Sequence, residues 1–350
     1  MTAAREHLER ATPAQALARG QALWRSVTPE RPVSLYAAWL DAEALVLGAY
    51  QYAPHALSQQ ALVAATPLLR RRTGGATVHV GPGVGYLAIG LAEPGALMGC
   101  PPGKLLNRNV RGCLSGLRQL KLPAHYFGRD FISVEARPAA YLAWTEAADG
   151  RALLEVFVGV DAPFVPEAAQ QGYPARQQPM FRGKAPITLA QAGFDGGVEA
   201  ALRALCDGQA RCYGLELQAE APSALERDEA DALATRLADA WRDAGPPTLH
   251  YGEALEEAIG FVAAGVALDP AGKLAALRLV GDFMQHEACP QQLTDALLGA
   301  LPDARSLGAA LDGVYAAGPG LIEGVRSLGT LQEALLSALE GHRARHPISP

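Results

Sequence analysis

The chain has little cysteine and no excess of positive charge, and each shortage removes a class of function; its few aromatic residues leave a core to be built largely from Ala, Leu and Val. Its five cysteines, Cys100, Cys113, Cys206, Cys212 and Cys289, form no CxxC pair. Neither a zinc site nor a disulfide framework is expected, and reduced thiols in a cytoplasmic protein are the simplest reading. A net charge of −6 argues against nonspecific nucleic-acid binding, which needs a basic face. The longest apolar run, Ala258 to Leu268, falls short of the roughly 20 residues that cross a bilayer, so no membrane partner is expected. The amino terminus becomes charged at Arg5 and Glu6 and shows no apolar stretch of the signal-peptide kind.

What is present is a chain of 350 residues, 49% of them apolar, long enough for two domains. The pattern predicts an α/β (α+β) organisation. A mixed sheet flanked by helices is expected over about residues 1–245, and a smaller α+β domain over about 250–350. Residues 5–25 carry helical spacing, ended by Pro29 and Pro32. Val33 to Trp39 and Ala44 to Leu47 read as two strands joined by a turn at Leu40 to Glu43. Ser58 to Leu69 reads as a helix broken by Pro67. A helix over 104–120 is stopped by Pro123, and Ala124 to Val134 is strand-like. Residues 139–144 and 151–160 form a hairpin around Asp149-Gly150. Residues 161–186 read as a long loop, helices follow near 196–206 and 226–243, and Asp243 to Pro247 reads as a linker. Beyond it come strands over 258–268 and 273–281, then helices near 290–299, 303–316 and 330–342.

The segment Arg70-Arg71-Arg72-Thr73-Gly74-Gly75, followed by His79 on a strand, carries the most chemical content. Paired glycines let a backbone approach an anion closely, their N–H groups can form an anion-binding nest, and guanidinium groups suit phosphate and carboxylate. Binding of an acid, or of an acyl group activated by phosphate, is the chemistry implied. Taken alone, the same residues also fit a hairpin turn with solvated arginines.

Four segments in order supply more. Arg70 to Gly75 with His79 resembles the Arg-Arg-x-Ser/Thr-Gly-Gly…His signature of the lipoate–protein ligase and octanoyltransferase (biotin/lipoate A/B protein ligase) family. Val33 to Trp39 and Leu45 to Gln51 resemble that family's opening strand pair. Gly128-Arg129-Asp130 stands where the family has Gly-Arg-Asn-Asp. Lys273 to Phe283, with the helices after it, resembles the family's C-terminal accessory domain. The resemblance runs from about residue 30 to 340. It implies a biotin/lipoate-ligase-like fold. It also implies ATP-dependent activation of lipoate or octanoate, with magnesium, and acyl transfer to a lysine of a lipoyl carrier protein or domain. On it, Arg70, Arg71, Thr73, Gly74, Gly75 and His79 would line the acyl-adenylate site, with Gly128, Arg129 and Asp130 near the nucleotide or metal.

The chain departs from that pattern in several places. It is one residue shorter between the glycine pair and His79. Val80 stands where ligases have Asp, and Phe131 takes the second polar position after Arg129. The family's key lysine aligns with Pro138, which offers neither charge nor an N–H. Arg137 beside it should face the other side of a strand, which leaves Lys184 as the substitute catalytic cation, provided that the 161–186 loop folds inward. The alternative is a non-catalytic descendant that keeps the pocket for ligand binding or as a scaffold. A cysteine-dependent transferase route finds no cysteine over residues 145–200. Cys100 and Cys113 read as structural or incidental, His125 as a surface or partly buried side chain, and His286 as solvated.

Overall fold

The computed structural model describes residues 2–99, 104–172, 184–237, 249–257, 259–316 and 322–345. In chain order its first elements are β1 (Thr2–Ala11), α1 (Pro13–Arg25), β2 (Val33–Leu40), β3 (Ala44–Leu47), α2 (Ala53–Ala56), α3 (Gln59–Val63), β4 (Leu68–Arg70), β5 (Val78–Val80) and β6 (Val84–Leu91). Then come α4 (Leu105–Gln119), β7 (Ala124–Tyr126), β8 (Phe131–Val134), β9 (Arg137–Glu146), β10 (Ala152–Gly159), α5 (Gly197–Tyr213), β11 (Leu215–Ala219) and α6 (Ala224–Leu237). The C-terminal portion holds β12 (His250–Tyr251), β13 (Leu255–Glu256), β14 (Phe261–Leu268), β15 (Leu274–Gly281), β16 (Met284–Gln285), α7 (Cys289–Leu297), α8 (Ala304–Leu311), β17 (Ile322–Glu323) and α9 (Leu328–Arg345).

An eight-stranded mixed sheet runs in the order β11-β1-β2-β6-β10-β9-β8-β7. Its first three strands are parallel and the others pair antiparallel. Helices α1 and α5 pack with it, α6 packs on α1, and α4 packs along α5. The expected mixed α/β sheet flanked by helices is therefore the observed architecture. A second sheet, β4-β3-β5, carries the glycine turn between β4 and β5. In the C-terminal portion β14 pairs with β12, β13 and β15, and α9 packs on β14. One apolar core spans positions 4 to 237 and takes in Ile259 and Met284. Another is built from residues between Val262 and Leu339, with Tyr50 packed against it. Among the described residues no helix is long and apolar enough to cross a membrane.

Several elements differ from the sequence expectation. The helix expected over 5–25 begins only at Pro13, and residues 2–11 form a strand. Thr12 closes a capping box with Gln15, and proline opens the first turn, a start signal that helical spacing alone hides. β1 lies between β2 and β11 in the sheet, and this pairing overrides the local preference. Strands β2 and β3 exist as expected, but the turn at 41–43 sends them into different sheets. Ser58 to Leu69 resolves into the short α3 and then β4. Ala124 to Val134 is two antiparallel strands, β7 and β8. The stop of α6 expected at 243, the linker at 243–247, Cys100 and residues 173–183 of the expected loop lie outside the described residues.

Candidate functional site

The glycine turn is held from within. The Arg71 side chain is buried. Its Nε donates to Thr73 Oγ1 at 3.0 Å, and its two terminal nitrogens donate to the carbonyls of Val46 (3.1 Å), Gly74 (2.6 Å) and Ala76 (2.8 Å). It also lies 5.5 Å from the Tyr141 ring and 5.8 Å from the Phe157 ring. Thr73 donates in turn to the Glu155 carboxylate, which also accepts from Tyr86 at 2.7 Å. Glu155 is fully buried on β10. Burial pushes its pKa up, while the Arg71 charge and the two hydroxyl donors oppose the rise. Arg71 and Thr73 therefore organise the turn rather than present donors to an open surface.

The amides that would cradle an anion have partners in the chain itself. Gly74 donates to Trp144 O at 3.3 Å, Gly75 to Phe283 O at 2.9 Å, and Ala76 to the Tyr141 hydroxyl at 2.7 Å. The glycines are needed for this closeness. A Cβ on Gly74 would meet Phe283 O at 2.3 Å, and one on Gly75, whose φ is +89°, would meet the Tyr141 hydroxyl at 2.0 Å. The backbone of the C-terminal portion occupies the space that the bare turn leaves.

Charged contacts reinforce this attachment. Arg72 pairs with Glu287 at 2.5 Å, and Gln51 donates to Asp282 at 2.5 Å. Trp144 Nε1 donates to Glu323 at 2.7 Å, and the Tyr50 and Phe283 rings stack at 5.2 Å. Arg70 donates to the carbonyls of Gly48 (2.9 Å) and Gln51 (2.7 Å). Burial raises Asp282 to about 7, with the nearby Asp130 charge adding to the rise.

The Gly128 turn is different in kind. Gly128, at φ +71°, is exposed with open space about it. Asp130 is buried and neither of its carboxylate oxygens accepts a hydrogen bond. The Arg129 nitrogens also lack hydrogen-bond partners, and Nε stands 3.6 Å from Asp130 Oδ1. Phe131 supports the guanidinium, with its ring 5.7 Å from Cζ. Burial raises Asp130 to about 6, although Arg129 opposes it.

The remaining expected site residues lie apart from this cluster. His79 Nε2 points toward the exposed Glu43, 4.0 Å from its carboxylate. Pro138 is buried on β9, where its carbonyl accepts from Ile187 N at 2.8 Å. Lys184 is exposed and donates to Ala136 O at 3.0 Å. Arg137 donates to the carbonyls of Ala185 and Pro186. Cys113 is buried and accepts from Gln209. His125 is exposed and stacks on Phe127. His286 is half-buried rather than solvated, its Nδ1 accepting from Ala288 N because a bridge to Glu146 tucks it in.

Sequence reasoning missed Glu155, Tyr141 and Asp282. Glu155 had a readable signal: it is the lone charge in Ala152–Gly159, a strand otherwise apolar. Tyr141 and Asp282 matter through contacts between distant segments, which no local pattern announces.

The amides of Gly74, Gly75 and Ala76 are not free to meet a nucleotide phosphate in this arrangement. The turn amides and the Arg71 donors are engaged internally, and the free carboxylate Asp130 faces a guanidinium. No group of three or more metal-ligating side chains stands together among the described residues.

No family model matches the sequence, and no curated protein does. Solved structures do match in fold. P. falciparum LipL1 in complex with lipoate has a TM-score of 0.67 at 12% identity, over 95% of this chain and 99% of that one. A bipartite lipoate protein ligase from Thermoplasma acidophilum, described with its E2 lipoyl domain, gives 0.56 at 17% identity, over 68% and 93%. A lipoate-protein ligase A bound with ATP gives 0.53 at 16% identity, over 68% and 95%. The chain has the fold of lipoate–protein ligases.

Proposed function

We propose that this protein is a non-catalytic binding or scaffold protein of the lipoate system, one that engages an acyl group or its lipoyl carrier domain without activating the acid. The observation that carries this reading is the self-occupied glycine turn: Gly74, Gly75 and Ala76 all donate to acceptors of the same chain. A ligase works by electrostatic complementarity to an activated acyl phosphate, and that requires free donors and a mobile cation. Here Arg71 is fixed by carbonyls and the lysine position is a buried proline. Fold alone does not carry chemistry, which supports separating binding from catalysis.

The test is calorimetric titration with a lipoyl carrier domain, unmodified and octanoylated, and with a non-hydrolysable lipoyl-adenylate analogue. Carrier binding with no heat from the adenylate analogue is expected. No heat from either carrier form would reject the scaffold role.

A second reading, an ATP-dependent lipoate ligase using a substitute lysine, is favoured by one contact. Lys184 Nζ lies 3.0 Å from Ala136 O, two residues before Pro138. In this reading adenylate binding is strong and falls in Lys184→Ala.

A further inference from the structure

A groove of about 350 Å³ opens on another side of the arginine run. Gln21 of α1, Tyr50, Arg70, Arg72, Leu237 of α6 and Glu287 are on its walls. Neither Thr73, the glycine pair, His79 nor the Arg129–Asp130 turn takes part in it. Its size falls within the usual range of small-molecule sites.

The chemistry of the walls is specific. Gln21 is 3% exposed and its Nε2 has no hydrogen-bond partner. The same holds for Arg72 Nε and Glu287 Oε1. A buried polar atom left unpaired is unfavourable, so two donors and one acceptor unmet around one groove call for an occupant. The Arg72 and Glu287 side chains keep 35% and 20% of their exposure, which leaves them room to turn toward one. Arg72 rests on the Trp24 ring, 5.3 Å from Cζ. Arg70 and Arg72 against the single carboxylate Glu287 make the walls net positive, which selects an anion. Glu287 Oε1, an acceptor, requires a donor close to the ligand's negative end. Leu233 and Leu237 add an apolar wall.

We propose that this groove binds a small carboxylic acid with an amine or hydroxyl on the neighbouring carbon and an apolar chain. The carboxylate meets Gln21 Nε2 and Arg72, the amine or hydroxyl meets Glu287 Oε1, and the chain lies on Leu233 and Leu237. This site is independent of the carrier-binding role, because its residues are not those of the glycine turn's amides.

Calorimetric titration of the full chain tests it, with leucine, its α-hydroxy analogue and the same carbon skeleton lacking the α-substituent. Saturable binding of leucine or of the hydroxy acid is expected, and preference between them identifies the donor. The unsubstituted acid should bind about tenfold more weakly or worse, a loss of about 1.4 kcal/mol. Gln21→Leu removes an unpaired donor and leaves the fold intact, and should weaken binding by about tenfold. Leu233→Trp, at a half-buried position, should fill the groove and abolish it. The proposal is overturned by no binding at concentrations on the order of 10 mM, by equal binding of the unsubstituted acid, or by binding that survives both substitutions.

Discussion

At the scale of single residues, Arg71 and Glu155 decide how the glycine turn behaves. They are buried charges linked through Thr73, and removing one leaves the other uncompensated. Arg71→Ala should therefore destabilise the protein by about 3–5 kcal/mol, read as a lower midpoint in urea unfolding. A midpoint within error of the parent would show that Arg71 faces a ligand instead. Pro138 makes a complementary case. Restoring the family's lysine by Pro138→Lys puts an ammonium at a buried position on β9, where desolvation opposes its charge. Lower thermal stability and no gain of acyl activation are expected; appreciable activation in this variant would mean that the pocket needs only its lysine. These two residues also mark the limit of sequence reading. The arginine run and the proline are legible in one dimension. That Arg71 turns inward depends on carbonyls of Val46, Gly74 and Ala76 meeting in space.

At the scale of elements, the contact between the glycine turn and the strand entering at Phe283 organises the site. Gly74→Ala places a methyl 2.3 Å from Phe283 O, closer than atoms can stand, so the backbone must part. Faster amide exchange over residues 281–287 is expected, with the β2, β6 and β10 amides unchanged. Equal protection in parent and variant would show the contact to be incidental. Here too the sequence was partly readable. The hairpin at Asp149-Gly150, α4 and the C-terminal helices follow from turn residues and apolar periodicity. β1 did not, because its strand identity comes from parallel neighbours far along the chain, β2 and β11. Short strands such as β16 and β17, two residues each, carry too few positions to show a period.

At the scale of the molecule, the buried acids set the pH response. Burial raises Asp130 to about 6 and Asp282 to about 7, and raises Glu323 as well. A raised carboxyl keeps a proton in the folded state that the unfolded chain has already released. Stability should therefore fall as pH rises from about 4 to about 7. Glu9 and Glu226 act in the opposite sense. Burial pushes each up, but hydrogen bonds, chiefly from His7, Tyr36 and Arg19 to one and from Arg5 and Ser223 to the other, hold both down to about 2. Their contribution is present above the ordinary value of 4.5 and is lost as pH falls toward 2. Thermal melts should show a maximum near about pH 4, with a decline toward about pH 7. A midpoint rising steadily through that interval would contradict the assignment.

The fold of lipoate–protein ligases stands here with its glycine turn closed on the chain itself, and the proposed function has it bind without activating an acyl group. ATP–pyrophosphate exchange, measured with the full chain, magnesium, and lipoate or octanoate, tests it most directly. No exchange above a protein-free control is predicted for either acid. Exchange that depends on the added acid and disappears in Lys184→Ala would contradict the claim and restore the ligase reading.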